Sequence, residues 1–111
     1  MPGSLNTKEE KVVAEFIEKL KSQFGKAVKM TLLYGSKARG DDTKKSDIDL
    51  FVLLDKADYK IRDKIVDLAF DLFLEHEVLI SPRVISMNEY ELLKRWETSF
   101  YKNLQKDGIK L

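Results

Sequence analysis

Cysteine is absent from the 111 residues, and histidine occurs once, as His76. Without thiols there is no disulfide framework and no thiolate metal site, and nothing demands an oxidising compartment. A single imidazole leaves no histidine metal cluster to expect, and His76 reads as a helix-end residue. No apolar run approaches the roughly 20 residues that span a bilayer. The opening MPGSLNTKEEK lacks the apolar stretch of a signal peptide, so the expectation is a cytoplasmic chain with no membrane partner. Neither charge sign is in excess: 20 Lys and Arg face 19 Asp and Glu, a net of +1. That balance argues against non-specific DNA binding as the main task, and no direct nucleic-acid binding is expected. Repeats and low-complexity tracts are also missing.

The chain is 43% hydrophobic and 35% charged, the balance of an ordinary folded domain. Its length suits one core and no second domain for gripping a large substrate. Residues 1–6 have no periodicity and are expected to be a frayed, disordered leader, with one domain over 7–111.

From Thr7 the spacing predicts a helix, with Thr7 and Glu10 fitting a capping box and Val12, Val13, Phe16, Ile17, Leu20 and Phe24 on one side. Gly25 stops it. Val28 to Tyr34 predicts a first strand, apolar on both parities as if covered on both faces. Ser36 to Arg39 can form one helical turn, and GDDTKKS (40–46) reads as a solvated, mobile loop. Asp47 to Leu54 predicts a second strand, and about Ala57 to Leu74 an amphipathic helix. Glu77 to Ser86 reads as a third strand in which Pro82 marks a bulge, an edge or a break. Helices over Asn88 to Trp96 and Ser99 to Lys106 follow, the last ended by Gly108. A short link favours antiparallel pairing of the first two strands, and a helical crossover makes the second and third parallel. The fold class expected is α/β (α+β): a small mixed sheet of three to four strands flanked by helices.

Chemistry concentrates in GSKARGDDTKKSDID (35–49). Asp47 and Asp49 are two apart, so on a strand they share a face, opposite Ile48, Leu50, Val52 and Leu54. At roughly 7 Å, two such charges repel by about 2 kcal/mol at an effective dielectric near 20. A hard divalent cation relieves that repulsion and leaves coordination sites for water and phosphate oxygens. Gly35-Ser36 follows the first strand and opens a helical turn, where free N–H groups and the missing side chain let a phosphate approach the backbone. Lys37 and Arg39, within the same turn, can neutralise that phosphate, Arg39 by a bidentate contact; the alternative for Lys37 is a solvated side chain.

Gly35-Ser36, ten residues, then Asp47-Ile48-Asp49 resembles the motif of the DNA polymerase β-type nucleotidyltransferase superfamily. Within it, length and the wording GSKARG…SDIDLFV resemble the minimal nucleotidyltransferases, small prokaryotic proteins often paired with a HEPN-domain toxin. The resemblance continues more weakly through ISPRVIS, NEYELL and SFYKNLQKDGIKL. It implies the nucleotidyltransferase fold, Mg²⁺ (or Mn²⁺) and transfer of a nucleoside monophosphate from a nucleoside triphosphate, ATP in the favoured reading, to a hydroxyl. It also implies that Gly35 and Ser36 hold the triphosphate while Asp47 and Asp49 bind metal. The family commonly carries a third carboxylate two residues before a Ser-Pro; the matching position here is Leu79. Glu77, at the same strand parity, is the nearest substitute.

Three functional readings follow. The first is a Mg²⁺-dependent nucleotidyltransferase acting on a partner protein, by resemblance a HEPN toxin, to which this chain is antitoxin. The second is a nucleotide-binding antitoxin or interaction module without turnover, as Leu79 permits. The third, an antibiotic-type enzyme with a small-molecule acceptor, is disfavoured by the short chain. Homo-oligomers are compatible with all three. Phe70, Phe73, Trp96, Phe100 and Tyr101, at helical spacing, read as core or interface residues.

Overall fold

The computed structural model describes residues 4–40 and 47–111, so six of the seven residues of the expected 40–46 loop lie outside the described residues. The elements are α1 (Thr7–Phe24), a 3-10 turn (Gly25–Ala27), β1 (Val28–Tyr34), α2 (Ser36–Arg39), β2 (Ile48–Leu54), α3 (Tyr59–His76), β3 (Ile80–Ser86), α4 (Met87–Arg95), α5 (Ser99–Asp107) and β4 (Ile109–Lys110). They form a mixed four-stranded sheet in the order β3-β2-β1-β4. β1 runs antiparallel to β2 and to β4, while β2 and β3 are parallel. Pro82 lies on the edge strand β3, where a missing ladder donor is tolerated, which selects the edge among the three expected roles. β4 was outside the expected elements; two residues are too few to carry a periodic pattern.

Strand alternation divides the core. Ile48, Leu50, Val52 and Leu54 of β2 are buried with Val12, Val13, Phe16 and Leu20 of α1 and Ile65, Leu68 and Leu72 of α3. Phe51 and Leu53 face the other way, with Leu32, Ile85 and Leu104, under Tyr90 of α4 and Phe100 of α5. Leu50 is fully buried, so truncating it to alanine would cost about 2–5 kcal/mol. Asp49 has the parity of Phe51, which places it at the end of the α4/α5 face.

The helix boundaries carry two corrections. The capping box of α1 uses Asn6 and Glu9, with Asn6 Oδ1 accepting from the Glu9 N–H at 2.8 Å and Glu9 Oε1 accepting from the Asn6 N–H at 3.0 Å. Asn6-Thr7-Lys8-Glu9-Glu10 offers two overlapping registers. The one starting at Asn6 wins because Leu5, just before it, is buried in the core. Residues 4–6 are therefore anchored rather than frayed: the Ser4 N–H also donates to the Lys37 carbonyl at 2.9 Å. Similarly, α3 begins two residues later than expected because Asp58 caps it, accepting from the Ile61 N–H at 2.9 Å.

Candidate active site

Antiparallel pairing sets the end of β1 beside the beginning of β2, with Tyr34 opposite Asp49. Gly35, the next residue, is held at φ 74°, ψ −156°, a region that L side chains rarely enter. A Cβ there would lie 2.5 Å from Asp49 Oδ2. The backbone twist and the carboxylate thus both require glycine. Gly35 begins the α2 turn: its carbonyl accepts from the Ala38 and Arg39 N–H groups, each at 3.1 Å, and Ser36 accepts from Gly40 at 2.9 Å. The first N–H groups of such a turn have no acceptor within it.

The two cations of α2 part company. Arg39 is exposed, 4.0 Å from Asp107, and its charge acts on Asp49. Lys37, expected to face a phosphate or solvent, is only 3% exposed, and its Nζ meets Glu9 Oε2 at 2.9 Å. Residues two apart on a helical turn point to nearly opposite sides. Lys37 therefore ties α2 to the start of α1, on the side of the turn opposite Arg39.

Asp47 precedes β2, which begins at Ile48 rather than Asp47, and is exposed; Asp49 is half-buried. Burial and then the negative charge of Asp47 raise the Asp49 pKa above its ordinary value, while Arg39 opposes them. Two carboxylates beside a glycine that a Cβ would overfill fit a hard divalent cation. Tyr34 borders them; its pKa is raised by burial and then by Asp49, and lowered by Arg83.

Arg83 and Phe100 complete the wall and were not singled out as site residues. Arg83 is exposed on β3, two residues past Ser81, the register partner of Asp49. Its guanidinium lies 4.6 Å from the centre of the Phe100 ring, which meets Tyr34 edge-on at 5.6 Å. Counting by two from Ser81 places Arg83 on the Asp49 face, a clue available once the strand register is known.

The parallel register also locates position 79. Ile48 pairs with Ile80, and the Ile48 N–H donates to the Leu79 carbonyl at 3.0 Å, so Leu79 lies beside Asp47. Its side chain is 41% exposed. Glu77 is not on the strand; it caps α3 with a left-handed backbone at φ 59° and so falls outside the β3 alternation. Among the described residues it does not join Asp47 and Asp49 in a compact three-ligand group. The group that does form is Glu15, Glu75 and His76, with ligand atoms mutually within 4.8 Å. His76 ends α3, as expected, and stands in this group as its one imidazole beside two glutamates. Glu15 forms an ion pair with Lys19 at 3.1 Å and shares a hydrogen bond with His76 at 3.3 Å, which joins α1 to α3.

Residues 13–111 match the nucleotidyltransferase domain family. The chain belongs to that family and is a minimal nucleotidyltransferase. Two relatives are candidate protein adenylyltransferases of Methanocaldococcus jannaschii. One is 37% identical over 100 residues, covering 90% of this chain and 94% of the relative. The other is 27% identical over 101 residues, covering 90% and 95%. The fold is shared with a candidate nucleotidyltransferase from Sulfolobus solfataricus (TM-score 0.52, 21% identity, 90% of this chain and 76% of that one). A variant of the MntA–HpeT toxin–antitoxin complex also shares it (TM-score 0.53, 23% identity, 88% and 70%). So does a toxin–antitoxin structure with AMP-PNP (TM-score 0.54, 21% identity, 86% and 69%).

Proposed function

We propose that this minimal nucleotidyltransferase moves a nucleoside monophosphate, AMP in the favoured case, from a nucleoside triphosphate to a hydroxyl on a partner protein. The observation that carries the reading is the close approach of Gly35 to the Asp49 carboxylate, which sets a backbone phosphate seat directly beside an acidic pair. In this reading Gly35 and Ser36 receive the triphosphate through the backbone of the α2 turn, and Arg39 neutralises it from the same turn. Asp47 and Asp49 would hold Mg²⁺ or Mn²⁺, which supplies charge neutralisation to the triphosphate when bound. The acceptor oxygen bonds to the α-phosphorus as the bond to the α–β bridging oxygen breaks; pyrophosphate leaves and the hydroxyl proton passes to water. The wall of Tyr34, Phe100 and Arg83 limits where that acceptor can enter.

A cytoplasmic antitoxin acting on a HEPN-type toxin is the favoured setting. The protein adenylyltransferase relatives from Methanocaldococcus support transfer to a protein, and the toxin–antitoxin neighbours support the antitoxin role. A single domain over 7–111 would suffice, with the acceptor supplied from outside. The second reading, a nucleotide-binding antitoxin without turnover, is favoured by Leu79, an exposed apolar side chain beside Asp47.

Incubation with α-labelled ATP, Mg²⁺ and the product of the neighbouring gene separates the two. Label on the neighbour, abolished by Asp47→Asn, supports transfer; label persisting when both aspartates are replaced would rule out the catalytic assignment. Neutralisation of the neighbour that survives both replacements would favour binding alone.

A further inference from the structure

The outer face of α3 carries an apolar ridge. Val66, Phe70 and Leu74, four residues apart, are each more than half exposed, and Tyr59, seven residues before Val66, is 69% exposed. At 1.5 Å per residue the ridge is roughly 22 Å long. Asp63, Asp67, Asp71 and Glu75, also four apart and exposed, form a parallel acidic row along one flank. None of Asp63, Asp67 and Asp71 has an ion-pair partner among the described residues; Lys60 and Lys64 lie toward the N-terminal end, so the negative character grows toward the C-terminus. The helix dipole adds to it there. An exposed apolar stripe of this length on a small globular chain marks an interaction surface.

We infer that this face docks a basic amphipathic helix of another protein, its apolar ridge packed along Val66, Phe70 and Leu74 and its Lys or Arg side chains against the acidic row. A ridge of one residue per turn is the shape that helix-on-helix packing fills. The acidic row opposes an anionic membrane surface. A second copy is the competing occupant: antiparallel two-fold pairing of α3 with itself sets the Lys60 and Lys64 end of one copy beside the Asp71 and Glu75 end of the other, and sedimentation separates that outcome from docking of a basic helix. α3 packs on the sheet face away from Asp47 and Asp49, so the docked helix is held apart from the nucleotide site and the inference stands independently of the transfer reading.

The test uses the full chain and two labelled synthetic helices of about 18 residues, five turns each, sharing a leucine ridge and flanked by lysines or by glutamates. The lysine helix should bind about tenfold tighter or more, as expected for several modest surface ion pairs, with the preference shrinking in high salt. Phe70→Ser with Leu74→Ser should abolish binding, and Asp67→Lys with Asp71→Lys should invert the preference. Circular dichroism of these exposed-site variants should match the parent. Failure of the lysine helix to bind, equal binding of both helices, or binding that survives Phe70→Ser with Leu74→Ser overturns the inference. So does a concentration-dependent dimer in sedimentation that those two serines dissolve, which would assign the face to a second copy.

Discussion

The Asp49 carboxylate occupies the space a side chain on Gly35 would fill: Oδ2 lies 2.5 Å from the position of a Cβ there. Two residues fourteen apart in the chain therefore form one construction, the start of the α2 turn and the acidic pair meeting at the β1–β2 end of the sheet.

Gly35→Ala tests that construction. Alanine is strained at this backbone conformation, by about 1–3 kcal/mol, and its methyl group displaces Asp49. A fall in melting temperature and loss of nucleotidyl transfer are expected together. Full activity in the alanine variant would show that the approach is incidental.

Asp49→Asn should separate stability from activity. In the metal-free protein the Asp49 pKa lies above its ordinary value, through burial and then the Asp47 charge. Between the unfolded and folded values the folded chain holds more protons. Asp49's stability contribution is therefore most favourable below the unfolded pKa and declines as pH rises through the folded one. Asparagine removes that decline, so the variant should melt higher at pH 7 and lose the Asp49-linked part of the pH dependence. Transfer should fall at least ~100-fold, since a metal ligand contributes several kcal/mol at the transition state. Thermal melts across pH 3–8, run beside the transfer assay, read both.

Glu9→Ala removes both the acceptor for the Asn6 N–H at the start of α1 and one partner of the nearly buried Lys37. Unbalancing a buried pair costs about 3–5 kcal/mol. Lys37→Met should cost less, because it takes the buried charge away with its stem retained. Urea unfolding of the two variants ranks them; equal cost would mean that the pair is solvated.

Leu79→Asp places an acid beside Asp47. If position 79 limits turnover, labelling of the partner protein should rise by about tenfold or more. A variant that folds normally and transfers no faster would show that Leu79 is not what limits the site.

Much of this arrangement was legible in the sequence because it depends on local rules. Alternation about Ile48 and Leu50 sends Asp49 to the face opposite the α1/α3 core, and the short connection after Tyr34 brings Gly35 to the same sheet end. What escaped depends on distant partners. Lys37 reads as a phosphate contact or a solvated side chain until Glu9 is brought against it from a different helix. Asn6, not Thr7, caps α1 because Leu5 finds the core. Glu77 leaves the strand to cap α3, and Arg83 joins the site face only through the Asp49–Ser81 register. β4 is two residues long and owes its pairing to Leu32 and Leu33, far earlier in the chain.

The most direct measurement is calorimetric titration of ATP into the parent and into the Asp47→Asn, Asp49→Asn double variant, each with and without Mg²⁺. The expected result is that Mg²⁺ strengthens ATP binding by the parent and that the double variant loses at least about tenfold of that gain, 1.4 kcal/mol or more. Mg²⁺-dependent affinity unchanged by the two substitutions would place the metal elsewhere and contradict the assignment of this site.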